Sequence, residues 1–567
     1  MDEKAYLIEL DRIWKRNWPA GIPREIEYSL GKVPIFHYLK HHAHQTPGKP
    51  CIIFYGRSIT YAEIDDLSDR FAAYLSKSGL KKGDRVAVFL LNCPQFFIVF
   101  YGILKLGCIF VPVNPLFKEH EFVHEMNDAD PKIIVSLDIL YPLVKSTRNK
   151  TRFEGVITTR LSDFLPNDPE LPLPDVFDIP PQACPGADDF MTILEHQSPD
   201  YPDNGVSIAD IAAINYTGGT TGLPKGCVHT HWNMLCTGAA GGINLYREKA
   251  ETGRETAIAV LPSFWIAGEL LVIIPIIKGT TIVYLTRWDA KAALMAIDRY
   301  KADTISGTTD MIVELMEHPD LSNYDIRSLK FTLVSSFVKK LNIDYRRKWE
   351  KLTGSIMRES SYGMTETHTL DTFTNGMQEG DMDLKSRPVF VGMPMPGTRF
   401  KIIDFKTGKP VPLGQEGEIV ISTPTLMTSY WRNPELTKEQ IRNGWYRTGD
   451  IGMLDEEGYL HYFGRNKEMI KVKGMSVFPS EIEIILGRHP AVEGSGVIPK
   501  VHPDKGEIPV AFVKLKEDPA GSIDAEGLTA WARENMAVYK VPEIIILDRL
   551  PLSSTGKVLK EELKTKL

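Results

Sequence analysis

Between Tyr216 and Gly226 the chain reads Tyr-Thr-Gly-Gly-Thr-Thr-Gly-Leu-Pro-Lys-Gly, and these residue types at this spacing suit phosphate. Glycines let backbone N–H groups curl around an anion with no Cβ in the way, threonine hydroxyls add donors, and a lysine supplies a compact positive charge. Thr217, Gly218, Gly219, Thr220, Thr221, Gly222 and Lys225 are therefore candidate phosphate ligands. The loop is not a Walker A motif, which needs Ser or Thr directly after its lysine; here Lys225 follows Pro224 and precedes Gly226. A flexible linker would favour Gly and Ser without Pro-Lys, and would not be fed by an apolar run such as Ile208 to Tyr216.

Holding such a loop requires a rigid scaffold, and the flanking sequence supplies the rhythm for one. From Ser58 to Pro115 an extended piece, an amphipathic helix (Tyr61 to Ser78), a strand (Arg85 to Leu91), a helix (Gln95 to Leu106) and a second apolar strand (Cys108 to Val113) alternate. Between Ala257 and Ser361 the alternation returns, with strands expected near 257–261, 281–285, 304–306, 331–334 and 355–357. Strands alternating with helices of this length mean parallel β/α layering. We expect two doubly wound halves, with the phosphate loop opening the second. Beyond Pro388 the texture changes to short alternating strands with Gly and Pro turns, a small antiparallel barrel or sheet. After Gly464 a charged α/β segment of about 100 residues begins, the size of a small domain.

At 567 residues the chain exceeds what one hydrophobic core supports. Hydrophobic content of 43%, 25% charged residues and a net charge of -7 describe a globular protein and argue against sequence-independent nucleic-acid binding. No secretory signal or membrane span is visible, and six cysteines without Cys-x-x-Cys pairing point to reduced thiols in a cytosol.

The loop resembles the signature of the adenylate-forming superfamily, the acyl-CoA synthetases and their relatives, and further stretches match it in order. Tyr362-Gly363-Met364-Thr365-Glu366 resembles the motif whose ring stacks on adenine, whose threonine contacts phosphate and whose glutamate helps hold magnesium. Tyr446-Arg447-Thr448-Gly449-Asp450 resembles the motif whose aspartate binds the ribose hydroxyls, assisted by the arginine matched by Arg465. Gly464 to Glu483 is similar to the hinge and thioester-forming loop, with Lys467 at the hinge, Lys471 a further catalytic candidate and Gly474 beside the pantetheine tunnel. Ser554-Thr555-Gly556-Lys557 matches the segment whose lysine bridges the carboxylate and the α-phosphate.

The resemblance runs from about Val33 to Lys557, and residues 18 to 26 are similar to the opening of long-chain fatty acid ligases. It implies an α/β fold: a large adenylation domain (1–464) of two doubly wound subdomains and a small β-barrel, then a small mobile α+β domain (465–567). It implies a carboxylic acid:CoA ligase using ATP, CoA and magnesium. Catalytic residues would be Lys557, Glu366 and Lys471, with Glu366 and Thr217 serving the metal through ATP. A cytoplasmic location follows, with peripheral membrane contact and an oligomer left open.

Two departures bear on the acid. Ser335-Ser336-Phe337-Val338 stands where many relatives have a Gly-Gly-Ala-Pro type segment, and Trp265 replaces the histidine of a common Phe-His pair. Added bulk could shorten or reshape the acyl tunnel, so a ligase for medium-chain, branched or aryl acids is the alternative. From another class, His120-Glu121-Phe122-Val123-His124 fits the His-Glu-x-x-His of zinc peptidases. The pattern has only three fixed residues and lacks the metzincin extension, so a surface helix is expected there. His37, His41 and His44 would share one face of a helix over 36–45, also expected at the surface.

Overall fold

The computed structural model describes residues 2–217, 224–244, 255–385, 390–472, 475–503, 506–516, 523–553 and 556–567. Helix Pro94–Leu106 is buried all round, begins with proline, whose missing N–H costs nothing there, and stops at Gly107 in the left-handed region (φ 79°). The strands it joins, Arg85–Phe89 and Ile109–Pro112, are almost wholly buried, as parallel strands covered on both faces must be.

They lie in an eight-stranded sheet ordered Ser429–Tyr430, Lys225–Thr230, Ile211–Thr217, Ile109–Pro112, Arg85–Phe89, Ile133–Leu137, Gly155–Thr159, Asp188–Asp189. A second sheet of seven runs Met357–Glu359, Phe331–Ser335, Thr304–Thr308, Thr256–Ala259, Thr281–Tyr284, Pro50–Phe54, Arg57–Thr60, parallel except for the last strand. The alternating elements stand where the periodicity places them, but the division between halves does not. The strands flanking the phosphate loop belong to the first sheet as an antiparallel hairpin, so the loop does not open the second half. In exchange, Pro50–Phe54 crosses to the second sheet, Ile52 and Ile53 pairing with Ile282 and Val283. Periodicity specifies that a segment is a strand, not which strand it meets; here the crossing is fixed by Tyr61, whose hydroxyl donates to the carbonyls of Thr280 (2.7 Å) and Pro275 (3.1 Å).

The third sheet, seven strands between Thr372 and Arg465, is antiparallel throughout. The N-terminal helix Glu3–Asn17 covers it, Trp14 Nε1 donating to the Gly458 carbonyl at 2.8 Å. A fourth sheet of five strands, Met475–Val477, Ile470–Val472, Gly506–Leu515, Val492–His502 and Glu543–Ile546, has its own core around Val497, Ala511 and Leu528. Helix Phe36–Gln45 forms as expected, with His37, His41 and His44 exposed.

Candidate active site

Thr217 ends its strand directly opposite Lys225, with Tyr216 opposite Gly226, so the two ends of the phosphate loop leave from paired positions of one antiparallel hairpin. Gly218, Gly219, Thr220, Thr221 and Gly222 lie outside the described residues, as does Gly474. The hairpin is braced from helix Glu119–Ala129: Tyr216 donates to Asp128 at 2.6 Å, and His124 Nε2 lies 3.1 Å from the Pro224 carbonyl. That contact gives one zinc-peptidase histidine another occupation. Glu121 accepts from the Lys118 N–H at 2.9 Å at the start of the same helix. Among the described residues no group of three or more His, Cys, Asp or Glu could hold a metal ion.

Lys225 leans towards the Tyr430 ring, 5.9 Å from its centre. The Tyr430 hydroxyl donates to Glu366 Oε1 at 3.0 Å and also meets the Tyr446 hydroxyl at 3.0 Å. Three motifs far apart in sequence are thus joined by a residue, Tyr430, that no motif flagged. It sits on a two-residue edge strand added to the phosphate-loop hairpin, pairing with Cys227.

Glu366 and Thr365 occupy a single 3-10 turn followed by three consecutive residues in the left-handed region, His368 (φ 53°), Thr369 (54°) and Leu370 (67°). Such conformations cost roughly 1–3 kcal/mol each and persist only where the surroundings over-determine them. The turn folds back on Gly363, where a Cβ would come within 2.6 Å of the Leu370 nitrogen, so only glycine fits. Beneath it, fully buried His368 contacts Thr237 Oγ1 (3.1 Å) and Glu269 (3.4 Å). Glu269 in turn accepts from Asn215 at 2.6 Å, and His229 Nδ1 contacts Asn215 at 3.0 Å. Burial, and then the neighbouring His368, push the His229 pKa well below its usual value. Cys227 and His229 therefore belong to the buried face of a strand, and His231 opens the next helix.

Tyr362 donates to Asp450 Oδ2 at 2.6 Å, and the Arg465 guanidinium lies 2.8 Å from Oδ1. Asp450 is only 2% exposed. Burial raises its pKa to about 6, against the opposing pull of Arg465 and the Tyr362 hydrogen bond. Asp450 and Arg465 are cross-strand partners, which fixes their register.

Lys557 reaches the same region from the chain's end. Its ammonium lies 5.2 Å from the centre of the Phe337 ring, within the segment that replaces Gly-Gly-Ala-Pro. The side chain keeps an exposed surface, yet crowding by the surrounding protein, and then the Arg465 charge, lower its pKa while Asp450 pulls the other way. Ser336 anchors that segment: its N–H (2.9 Å) and hydroxyl (2.7 Å) both donate to half-buried Glu359. Lys471 stands apart on the hairpin strand Ile470–Val472, exposed, its N–H donating to Glu507 at 2.8 Å.

Sequence reasoning also missed Asn92. Its amide donates to the carbonyls of Leu261 (3.0 Å) and Leu285 (3.1 Å) and accepts from the Ser263 N–H (2.8 Å), pinning the Pro262–Trp265 segment between the two parallel sheets. An asparagine inside an apolar run, Leu90 to Phe97, was the available signal.

The AMP-binding enzyme family profile matches residues 39–431, and the profile of its C-terminal domain matches 481–557. A long-chain-fatty-acid–CoA ligase of Bacillus subtilis (strain 168) is 32% identical over 563 residues, 97% of each chain. Among solved structures, anthranilate CoA ligase AuaEII in complex with anthranoyl-AMP superposes with a TM-score of 0.80 at 26% identity, over 94% of this chain and 97% of that one. ATP-bound MatB from Rhodopseudomonas palustris superposes with a TM-score of 0.79 at 27% identity, over 94% and 98%. With both profiles matched in order and near full-length similarity to a ligase, the chain belongs to the AMP-binding enzyme family, as an AMP-forming acyl-CoA synthetase.

Proposed function

We propose that the chain is an ATP-dependent fatty acid:CoA ligase acting in two steps. A carboxylate oxygen attacks the α-phosphorus of ATP, the bond to the β-phosphate oxygen breaks, and pyrophosphate leaves. The sulfur of CoA, having lost its proton, then attacks the acyl carbon and AMP departs with the electron pair. The reading is supported by the closeness of the Asp450–Arg465 pair to both Glu366 and Lys557, residues drawn from separate family motifs.

A carboxylate is a poor nucleophile towards a polyanion, so the site must neutralise charge and fix the approach. Lys557 bridges the incoming carboxylate and the α-phosphate; Thr217 and Lys225, with Thr220 and Thr221, hold the β- and γ-phosphates. Tyr362 offers its ring to adenine, Thr365 its hydroxyl to phosphate, and Asp450 accepts from the ribose hydroxyls. Magnesium needs only one or two carboxylates besides phosphate oxygens, and half-buried Glu366, with a hydroxyl already on one oxygen, fits that demand. Glu366 and, through ATP, Thr217 would hold it; when bound it supplies charge neutralisation on the triphosphate.

The second step needs a thiol path where Lys557 stands, so residues 465–567 move as a unit against 1–464 about Lys467, bringing Lys471 and Gly474 to the site. The enzyme works in the cytoplasm, in keeping with six free thiols. Fatty acid uptake from a membrane surface would be peripheral, since among the described residues no helix is long and apolar enough to cross one.

The bulk of Trp265 and Phe337 favours a second reading, a ligase for medium-chain, branched or aryl acids. Pyrophosphate–ATP exchange across a panel of acids separates the two. Exchange peaking with long unbranched acids supports the first, and exchange peaking with short or aryl acids supports the second. Background exchange with every acid removes both.

A further inference from the structure

Three residues beyond Lys557, Lys560 begins the last short helix and points back into the protein. Its ammonium lies 2.8 Å from Glu468 Oε2 and 3.6 Å from Glu483 Oε1. Glu468 closes the 3-10 turn Asn466–Glu468, directly after Arg465, which grips Asp450. Glu483 is nearly buried, accepts from the Val497 N–H at 3.0 Å, and turns its other oxygen towards Lys340 at 3.9 Å. Lys340 in turn donates to the carbonyls of Phe337 (2.9 Å) and Ser336 (3.2 Å). Phe337 is the ring that Lys557 faces. These contacts close a circuit, from Lys557 to Phe337, Lys340, Glu483, Lys560 and back along three residues of chain.

We infer that Lys560 is a positioning residue for the adenylation step: held between Glu468 and Glu483, it fixes the turn that presents Lys557, while Lys340 to Glu483 is the contact that must part before the second step. The inference rests on the reading of Lys557 as the adenylation lysine.

Its physical basis is that the other backbone ties around Lys557, such as the Leu559 N–H to the Pro551 carbonyl (2.8 Å), run between near neighbours in the chain. The turn is tied by the Ser553 N–H to the Lys557 carbonyl (2.7 Å) and the Lys557 N–H to the Ser553 hydroxyl (3.1 Å), bonds that shape the turn without aiming it at the site. Lys560 supplies the aim, since a charge between two carboxylates at short range has one well-defined position. Burial would favour loss of its proton, but Glu483 and Glu468 together raise its pKa, so the clamp stays charged at neutral pH. Leu563, one turn further on and fully buried against Ile498 and Phe512, anchors the helix from its other end. Val338 makes the apolar part of the same seam, so close to Gly494 that a Cβ there would meet it at 2.2 Å.

The test compares Lys560→Met, Lys560→Arg, Lys340→Met and Lys557→Ala in the full-length enzyme. Pyrophosphate–ATP exchange reports the first step, and thioester formation from supplied acyl-adenylate and CoA reports the second. A small misplacement of a reacting group costs up to about a hundredfold, so Lys560→Met should lower kcat for exchange by roughly ten- to a hundredfold. Its KM for ATP should be unchanged, its second step should stay within about twofold, and Lys560→Arg should restore most of the exchange. Lys340→Met should lower exchange by a few-fold with the second step kept or quickened. Equal loss of both steps in Lys560→Met, wild-type exchange in it, or failure of arginine to rescue overturns the inference. Should Lys560→Met not fold, Lys340→Met decides, and unchanged exchange there overturns the inference. If Lys557→Ala itself retains exchange, the underlying reading of that lysine fails instead.

Discussion

Asp450 and Lys557 bring opposite charges to one neighbourhood and are held in opposite ways. Asp450 sits on the ten-residue strand Trp445–Leu454, paired on both sides, with Tyr362 and Arg465 on its carboxylate and almost no exposed surface. Lys557 projects from a tight turn beside Gly556 (φ 76°) and keeps contact with solvent. A group needed in every step can be sealed into a sheet. One that must withdraw between steps has to be held by contacts that can part, at distances such as the 3.9 Å between Lys340 and Glu483.

The contrast breaks most directly at Lys557. Lys557→Ala should lower pyrophosphate–ATP exchange by about 10²–10³, the usual cost of removing a donor from a developing charge, while thioester formation from supplied acyl-adenylate persists. Equal loss in both assays would mean the lysine is as permanent a fixture as Asp450. Asp450→Asn should act differently, raising KM for ATP roughly tenfold, since a neutral amide accepts more weakly from the ribose hydroxyls.

The raised pKa of Asp450 gives that prediction a pH signature. As pH falls through about 6 the carboxylate gains its proton and becomes a poorer acceptor, so KM for ATP should climb below that value. The climb should vanish in Asp450→Asn. The sign for stability is the reverse: a raised carboxyl pKa means the native state holds the proton more firmly, so this group's stabilising contribution is lost as pH rises through about 6. Urea titrations of wild type and Asp450→Asn between pH 4 and 7 check that slope.

Smaller effects sharpen the picture. Tyr362→Phe removes the hydroxyl from Asp450 and keeps the ring; Asp450 itself stays, so KM for ATP should rise only a few-fold, in line with about 0.5–1 kcal/mol, the low end of the net worth of one hydrogen bond. The KM climb should also move to higher pH, because one support of the ionised form is gone. His120→Ala, on an exposed helix position, should leave both steps within about twofold, and the purified enzyme should carry no stoichiometric zinc.

What could be read from the chain alone follows the same division. The Gly-Thr loop, the Tyr-Gly-x-Thr-Glu turn and the Asp450 strand carry residue types that the proposed nucleotide would demand, and such demands leave a pattern. Tyr430, Asn92, Glu359 and Lys560 act on other protein groups, and none sits in a stretch whose residue types mark it out. The strained run His368 to Leu370 left no glycine as a marker, because a buried His–Glu–Asn network supports it instead. Sheet membership failed for a related reason: the apolar pattern of Pro50–Phe54 suits either sheet, and Tyr61 with Thr280 settles the matter 219 residues away.

That crossing strand also sets a schedule for biosynthesis. The hairpin Pro50–Thr60 emerges early from the ribosome with one edge open, and its neighbour Thr281–Tyr284 is translated more than two hundred residues later. At about 5–20 residues per second the open edge waits on the order of tens of seconds, a long interval for an apolar strand to stay unclaimed. The first half of the protein therefore cannot finish maturing before the second is made, and a fragment cut near residue 210 would carry an orphaned hairpin from one sheet and end the other at Ile109–Pro112, stripped of its outer strands.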